Sequence, residues 1–138
     1  MKATLLSTTI LLTGLLLIGC TRRIQAPPST AIIGTFQLVE VDGNTIPAEV
    51  THGSSAVRIE SGQIEFDSQG TCISRTVFGP PKGENIHREV RADCDYDGQT
   101  VDLTWHGAGR TRGEFAGEEF TMNNEGMMFR YRKVSNTE

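Results

Sequence analysis

From Ala31 to Val134 no stretch repeats apolar residues at i, i+3, i+4 and i+7 over a useful length. The apolar residues alternate with polar ones in short runs, and Gly, Pro, Asn, Asp and Ser separate the runs. A chain patterned this way cannot bury its apolar side chains along helix faces. It has to build sheet with one face turned inward.

The runs can be followed along the sequence. Ile33 to Val41 is the first. Val57 and Ile59 alternate with Arg58 and Glu60, Ser61-Gly62 reads as a turn, and Ile64 and Phe66 alternate with Glu65 and Asp67. Ser68-Gln69-Gly70 marks the next turn, Thr71 to Phe78 follows, and Gly79-Pro80-Pro81-Lys82-Gly83 forms a longer loop. His87 to Tyr96 returns, and Asp97-Gly98 is the strongest short hairpin signal in the chain. Val101, Leu103 and Trp105 share one face. Thr111 to Phe115, Glu119 to Met122 and Met127 to Val134 complete the set, broken at Gly117 and at Asn123-Asn124-Glu125-Gly126.

These runs predict about nine short strands in an all-β fold. The connections are too short for helical crossovers, so the pairing is antiparallel and the order is a meander. A meander of this many strands loses its exposed edges best by closing on itself. The expected fold is an up-and-down β-barrel of about eight to nine strands rather than a sandwich. At 138 residues the chain holds one domain.

The first 19 residues carry a different signal. Lys2 gives a short positive start, and Leu5, Leu6, Ile10 to Leu12 and Leu15 to Ile18 give an apolar stretch too short and Thr-rich for a membrane span. Leu17-Ile18-Gly19-Cys20 resembles the lipobox of bacterial lipoproteins, in which a small residue precedes the lipidated Cys. The resemblance implies that 1–19 is a cleaved signal peptide and that the Cys20 thiol receives a diacylglycerol, with fatty acyl chains such as palmitate holding it in the membrane. A diacylglycerol plus an N-acyl chain passes the two-signal threshold for stable anchoring. Thr21 rather than Asp follows Cys20. By the enteric rule this leans toward the outer membrane, facing the periplasm. Residues 20–30, with Arg22, Arg23, Pro27 and Pro28, read as a lipidated tether, 31–134 as the barrel domain and 135–138 as a polar tail.

Removing Cys20 from the three cysteines leaves Cys72 and Cys94. In an exported protein the simplest reading is one disulfide, with two buried free thiols as the alternative. If Cys72 stands opposite Cys94 across the Pro80-Pro81 loop, Ser74 faces Ala92, Thr76 faces Val90 and Phe78 faces Arg88. Such a bridge would close a loop of about 20 residues, worth roughly 3 kcal/mol by the chain-entropy argument.

Charge narrows the partners. The whole chain is −4; without the leader's Lys2, 12 Lys and Arg stand against 17 Asp and Glu, or −5. An acidic domain is a poor nucleic-acid partner and has no polybasic patch for anionic lipids.

Gly34-Thr35-Phe36-Gln37-Leu38, Val41, Asp42-Gly43, Ile46-Pro47, Gln63-Ile64-Glu65-Phe66-Asp67, Gly70-Thr71, Val101-Asp102-Leu103-Thr104 and Phe129-Arg130-Tyr131-Arg132-Lys133 together resemble the small bacterial lipocalin-like domains. Phe36 stands where that pattern prefers Trp. The resemblance implies a barrel of eight to ten strands and carries over no ligand-binding residue.

Other constellations fall short of a site. Asp93-Cys94-Asp95-Tyr96-Asp97-Gly98 matches half of a calcium loop, but Thr104 occupies the position that needs a bidentate Glu. His106-Gly107-Ala108-Gly109 is similar to an esterase oxyanion loop, yet there is no G-x-S-x-G elbow. His52, His87 and His106 would hold a metal only if three loops converged on one barrel mouth. Arg110, Arg112, Arg130, Arg132 and Lys133 read as a solvated face paired with Glu114, Glu118 and Glu119, with an anion or peptide contact as the alternative.

The expected protein is a membrane-anchored, non-enzymatic envelope lipoprotein, with no cofactor and no metal. It binds a small apolar ligand in the barrel or a protein partner. The alternative is a structural or stress-protective lipoprotein with a filled barrel and no ligand, comparable to the META-type envelope lipoproteins. Phe36, Leu38, Val57, Ile59, Ile64, Phe66, Phe78, Val90, Tyr96, Val101, Leu103, Trp105, Phe115, Phe120, Phe129 and Tyr131 either fill the interior or line a cavity.

Overall fold

The structure is a computed structural model that describes residues 30–134. The leader, Cys20, most of the tether and the polar tail lie outside the described residues.

The alternating runs become ten strands: β1 (Gly34–Val41), β2 (Asn44–Thr45), β3 (Ala48–His52), β4 (Ser55–Phe66), β5 (Thr71–Gly79), β6 (Ile86–Asp97), β7 (Thr100–Trp105), β8 (Arg110–Ala116), β9 (Glu119–Asn124) and β10 (Met127–Lys133). All pairings are antiparallel. Each strand from β4 to β10 pairs with the next, β10 pairs with β1, and β1 closes the circuit on the second half of β4, with Gly34 opposite Phe66 and Gln37 opposite Gln63. The result is a closed, eight-stranded up-and-down barrel. β2 and β3 are additions, β2 on β1 and β3 on the first half of β4.

Two expectations need correction. Ser61-Gly62 is not a turn. β4 runs straight through it as one 12-residue strand, with a register irregularity between Ile59 and Ser61 against β5. That irregularity lets one strand serve two partners, since β3 ends opposite Ile59 and β1 takes over at Gln63. The register of β5 on β6 is also two residues from the expected one. Cys72 faces Ala92, Ser74 faces Val90 and Thr76 faces Arg88.

Turn chemistry explains the sharp reversals. Asp42-Gly43 joins β1 to β2 with φ of 50° and 78°, and Glu125-Gly126 joins β9 to β10 with φ of 53° and 86°. Both central residues left-handed is the type I′ pattern that matches strand twist. The Asp67 carboxylate accepts hydrogen bonds from the Gln69 N–H at 2.9 Å and the Thr71 N–H at 2.8 Å, which folds the β4–β5 turn around one side chain.

The lower half of the barrel is filled. Phe36, Phe66, Phe115 and Phe120 interlock with centroids 4.7–6.3 Å apart, mostly edge to face, and Tyr131 packs on Phe120 at 5.8 Å. Phe36 and Phe120 have no exposed surface. Gly113 makes room for this cluster: a Cβ there would lie 2.3 Å from the Phe120 ring. The aromatic floor seals the end of the barrel that holds the β4–β5, β6–β7 and β8–β9 turns.

Candidate functional site: a cup above the aromatic floor

Above that floor the interior is open. A cavity of about 270 Å³ occupies the upper half, reached from the end that carries the β5–β6, β7–β8 and β9–β10 loops. Alternation places its walls: Ser74, Thr76 and Phe78 of β5, Arg88 and Val90 of β6, Trp105 of β7, Thr111 of β8, Met122 and Asn124 of β9, and Met127, Phe129 and Tyr131 of β10 all point inward. Val57 and Ile59 of β4 complete the apolar side.

A short polar chain crosses the wall. The Trp105 indole Nε1–H donates to Thr111 Oγ1 at 2.9 Å, and Thr111 Oγ1 donates to Asn124 Oδ1 at 3.3 Å. Thr111 is the buried polar residue of the core. Its hydroxyl satisfies the indole and is itself satisfied, so the Trp105 ring is fixed against the cavity without stranding a buried polar group. The periodicity put Trp105 on an inward face, but nothing in sequence spacing linked it to Asn124, because the three residues sit on three successive strands.

The rim carries the charges. His52 Nε2 lies 3.5 Å from Glu125 Oε2. Arg88 and Arg110 also line the cavity, and neither makes an ion pair or side-chain hydrogen bond with a described residue.

The other sequence candidates are dispersed. His106 lies outside the barrel, with Nε2 3.2 Å from Asp93 Oδ1, and His87 lies on the outer side of β6, so the three histidines do not converge. Asp93, Asp95 and Asp97 point outward from β6, and no group of His, Cys, Asp or Glu among the described residues is placed to hold a metal ion. The basic residues are largely neutralised. Arg112 meets Asp102 at 3.4 Å, Arg130 contacts Glu40 and meets Glu119 at 3.0 Å, and Arg132 meets Glu119 at 3.4 Å. Lys133 caps the Ala31 carbonyl at 2.7 Å. Of the three expected carboxylates only Glu119 serves; Glu40 and Asp102 supply the rest, because cross-strand register sets the partners.

Cys72 and Cys94 are free thiols, with Cys72 buried and Cys94 partly so. They do not stand opposite each other. The Cys94 N–H donates to the Gly70 carbonyl at 2.7 Å, so the thiols are diagonal neighbours on the inner face. They are nonetheless in contact: the hydrogen bond from Cys72 raises its own pKa and lowers that of Cys94. Burial pushes the Tyr96 hydroxyl upward beside Cys94.

The sequence matches no known family model, and no curated protein and no solved structure matches it.

Proposed function

We propose that this chain is a lipid-anchored envelope lipoprotein whose lipocalin-like barrel carries a small apolar ligand, as a binding module and not an enzyme. The open cup above a sealed floor is the observation that carries this reading. A barrel serving only as a rigid spacer gains from filling its interior to the top, because unfilled volume forfeits packing. Here the lower half is packed and the upper half is not. At about 270 Å³ the cavity falls just below the usual range for ligand sites, about 300–1,000 Å³. At about 30 Å³ per liquid water it has room for about nine waters, which suits a compact ligand better than a long acyl chain. The lipobox at Leu17-Ile18-Gly19-Cys20 supports the anchor, and the contact of Cys72 with Cys94 supports their oxidation to a disulfide in the envelope.

Native mass spectrometry of the protein extracted from bacterial membranes, before and after reduction, tests all three parts. The expected spectrum carries a lipid mass on Cys20, a gain of two hydrogens on reduction and a co-purified small molecule. Lipid and disulfide with an empty barrel would favour the filled-barrel, structural alternative. A missing lipid mass would overturn the anchor.

A further inference from the structure

The upper half of β6 has no strand on one side. β5 pairs with β6 from Ile86 to Asp93, whereas β7 pairs only with Ala92 to Asp97. β7 ends at Trp105, and the last link is the His106 N–H donating to the Arg91 carbonyl at 2.8 Å. Ile86 to Val90 is therefore an open sheet edge, about 17 Å long.

Backbone groups in a paired strand alternate between its two sides. The Cys94 N–H points to β5, where it donates to the Gly70 carbonyl, and the Arg91 carbonyl points to β7. The same alternation turns the N–H and C=O of His87 and Glu89 to the open side, where no described residue bonds them. Ile86, His87, Arg88 and Glu89 are exposed and Val90 is half-buried, so nothing covers this edge in the folded chain.

We propose that this edge takes an extended peptide segment of another protein as an added strand, antiparallel to β6, with an acidic side chain opposite Arg88 and apolar ones on either side of it. The inference goes beyond the small-ligand reading and stands on the strand edge whether or not the cup is occupied. Main-chain hydrogen bonds to His87 and Glu89 would hold the segment, and alternate side chains would select it.

Charge and pattern name the segment. Arg58, Arg75, Arg112, Arg130 and Arg132 each contact a carboxylate. Arg88 contacts none among the described residues, and its neighbour Glu89 is held by Arg75 at 2.8 Å. Ile86, Arg88 and Val90 share the cup side of β6, and the cavity continues from Arg88 and Val90 to Ala108 and Gly109 of the β7–β8 loop with no strand between. An added strand would place its own side chains in that interval, so the fitting order is apolar, any, acidic, any, apolar. A second copy of this chain fits poorly. The two antiparallel registers centred on the edge set Arg88 opposite Arg88 or Glu89 opposite Glu89, and like charges directly opposite repel.

The three histidines give a simple readout. The full chain, isotope-labelled at histidine and held in an amphipol, is titrated with acetyl-Val-Thr-Glu-Thr-Val-amide and with the same peptide carrying Lys for Glu. The His87 amide signal is expected to move and that of His52, on the cup rim, to stay. The acidic peptide should bind about fivefold more tightly than the basic one, as an opposite-charge pair replaces a like-charge one. Arg88→Glu, at an exposed site, should reverse the order. N-methylation of both Thr residues, whose N–H groups would face β6, should abolish binding. No movement of the His87 signal at millimolar peptide would overturn the proposal, as would equal affinity for the two peptides or unimpaired binding of the methylated one. Movement of the His52 signal alone would place the peptide in the cup and overturn it too. A His87 signal that moves with protein concentration before any peptide is added would assign the edge to a second copy instead.

Discussion

Tyr131 stands where the floor meets the cup: its ring packs on Phe120 and Phe129, and its residue is 1 % exposed. Burial holds its hydroxyl above the ordinary value of 10.0. Burial does the same to the Tyr96 hydroxyl. These groups are neutral when protonated, so the folded state keeps protons that the unfolded chain would release. The stability from that difference is complete below the unfolded pKa and falls as pH rises above it, by up to about 1.4 kcal/mol per pH unit for each group. Urea midpoints should therefore be flat from pH 7 to 9 and fall from about pH 10. Tyr131→Phe should make that fall shallower without abolishing it, since Tyr96 contributes with the same sign. Parallel slopes for the two proteins would mean that the Tyr131 hydroxyl ionises without unfolding the barrel.

Within the elements, what was legible depended on period. Alternation placed every strand from β5 to β10, because a face that is half buried repeats every two residues and says so in sequence. It also named most of the buried aromatic set correctly. β3 was missed because Ala48–His52 offers only one short alternating pair, Ala48 and Val50, of which Val50 alone is buried. Ser61-Gly62 looked like a turn because Gly usually punctuates. Its actual task is steric: a Cβ at Gly62 would approach the Leu38 side chain to 2.9 Å, so β1 could not close on β4 as it does. Gly113 plays the same part between β8 and β9, and it is the clearer test because its neighbour is a fully buried ring. Gly113→Ala should cost about 1–3 kcal/mol in a urea titration, as overpacking of a filled interior does. A loss below about 0.5 kcal/mol would mean that Phe120 can shift within the floor, against the close ring contacts seen there. Register was the least legible quantity. Two cysteines suggested a direct pair, and the fold delivers a diagonal one, because the β5–β6 register answers to the inward faces of both strands and to Gly70.

At the scale of the whole molecule the barrel is divided into a packed half and an open half, and the division can be tested through stability. Val90 is half-buried on the cup wall, on the inner face of β6, well above the aromatic floor. Val90→Phe adds a ring to the space a ligand would use. If the cup is spare volume kept for binding, filling it should stabilise the barrel by about 1 kcal/mol, at roughly 24 cal/mol for each Å³ of cavity removed. The same substitution should also displace any small molecule that co-purifies in the cup, read by native mass spectrometry. The two readouts have to move in opposite directions, since a barrel that gains stability while losing its ligand has exchanged one use of the space for the other. A large fall in the thermal midpoint would show that the upper wall cannot accommodate a ring, and that the opening is a rigid consequence of strand register and not volume held free for a ligand. The sequence alone could not decide between these outcomes. The same inward aromatic and aliphatic residues serve a filled barrel and a hollow one, and only their division between Phe36, Phe66, Phe115 and Phe120 below and Phe78, Trp105 and Phe129 above separates floor from cup.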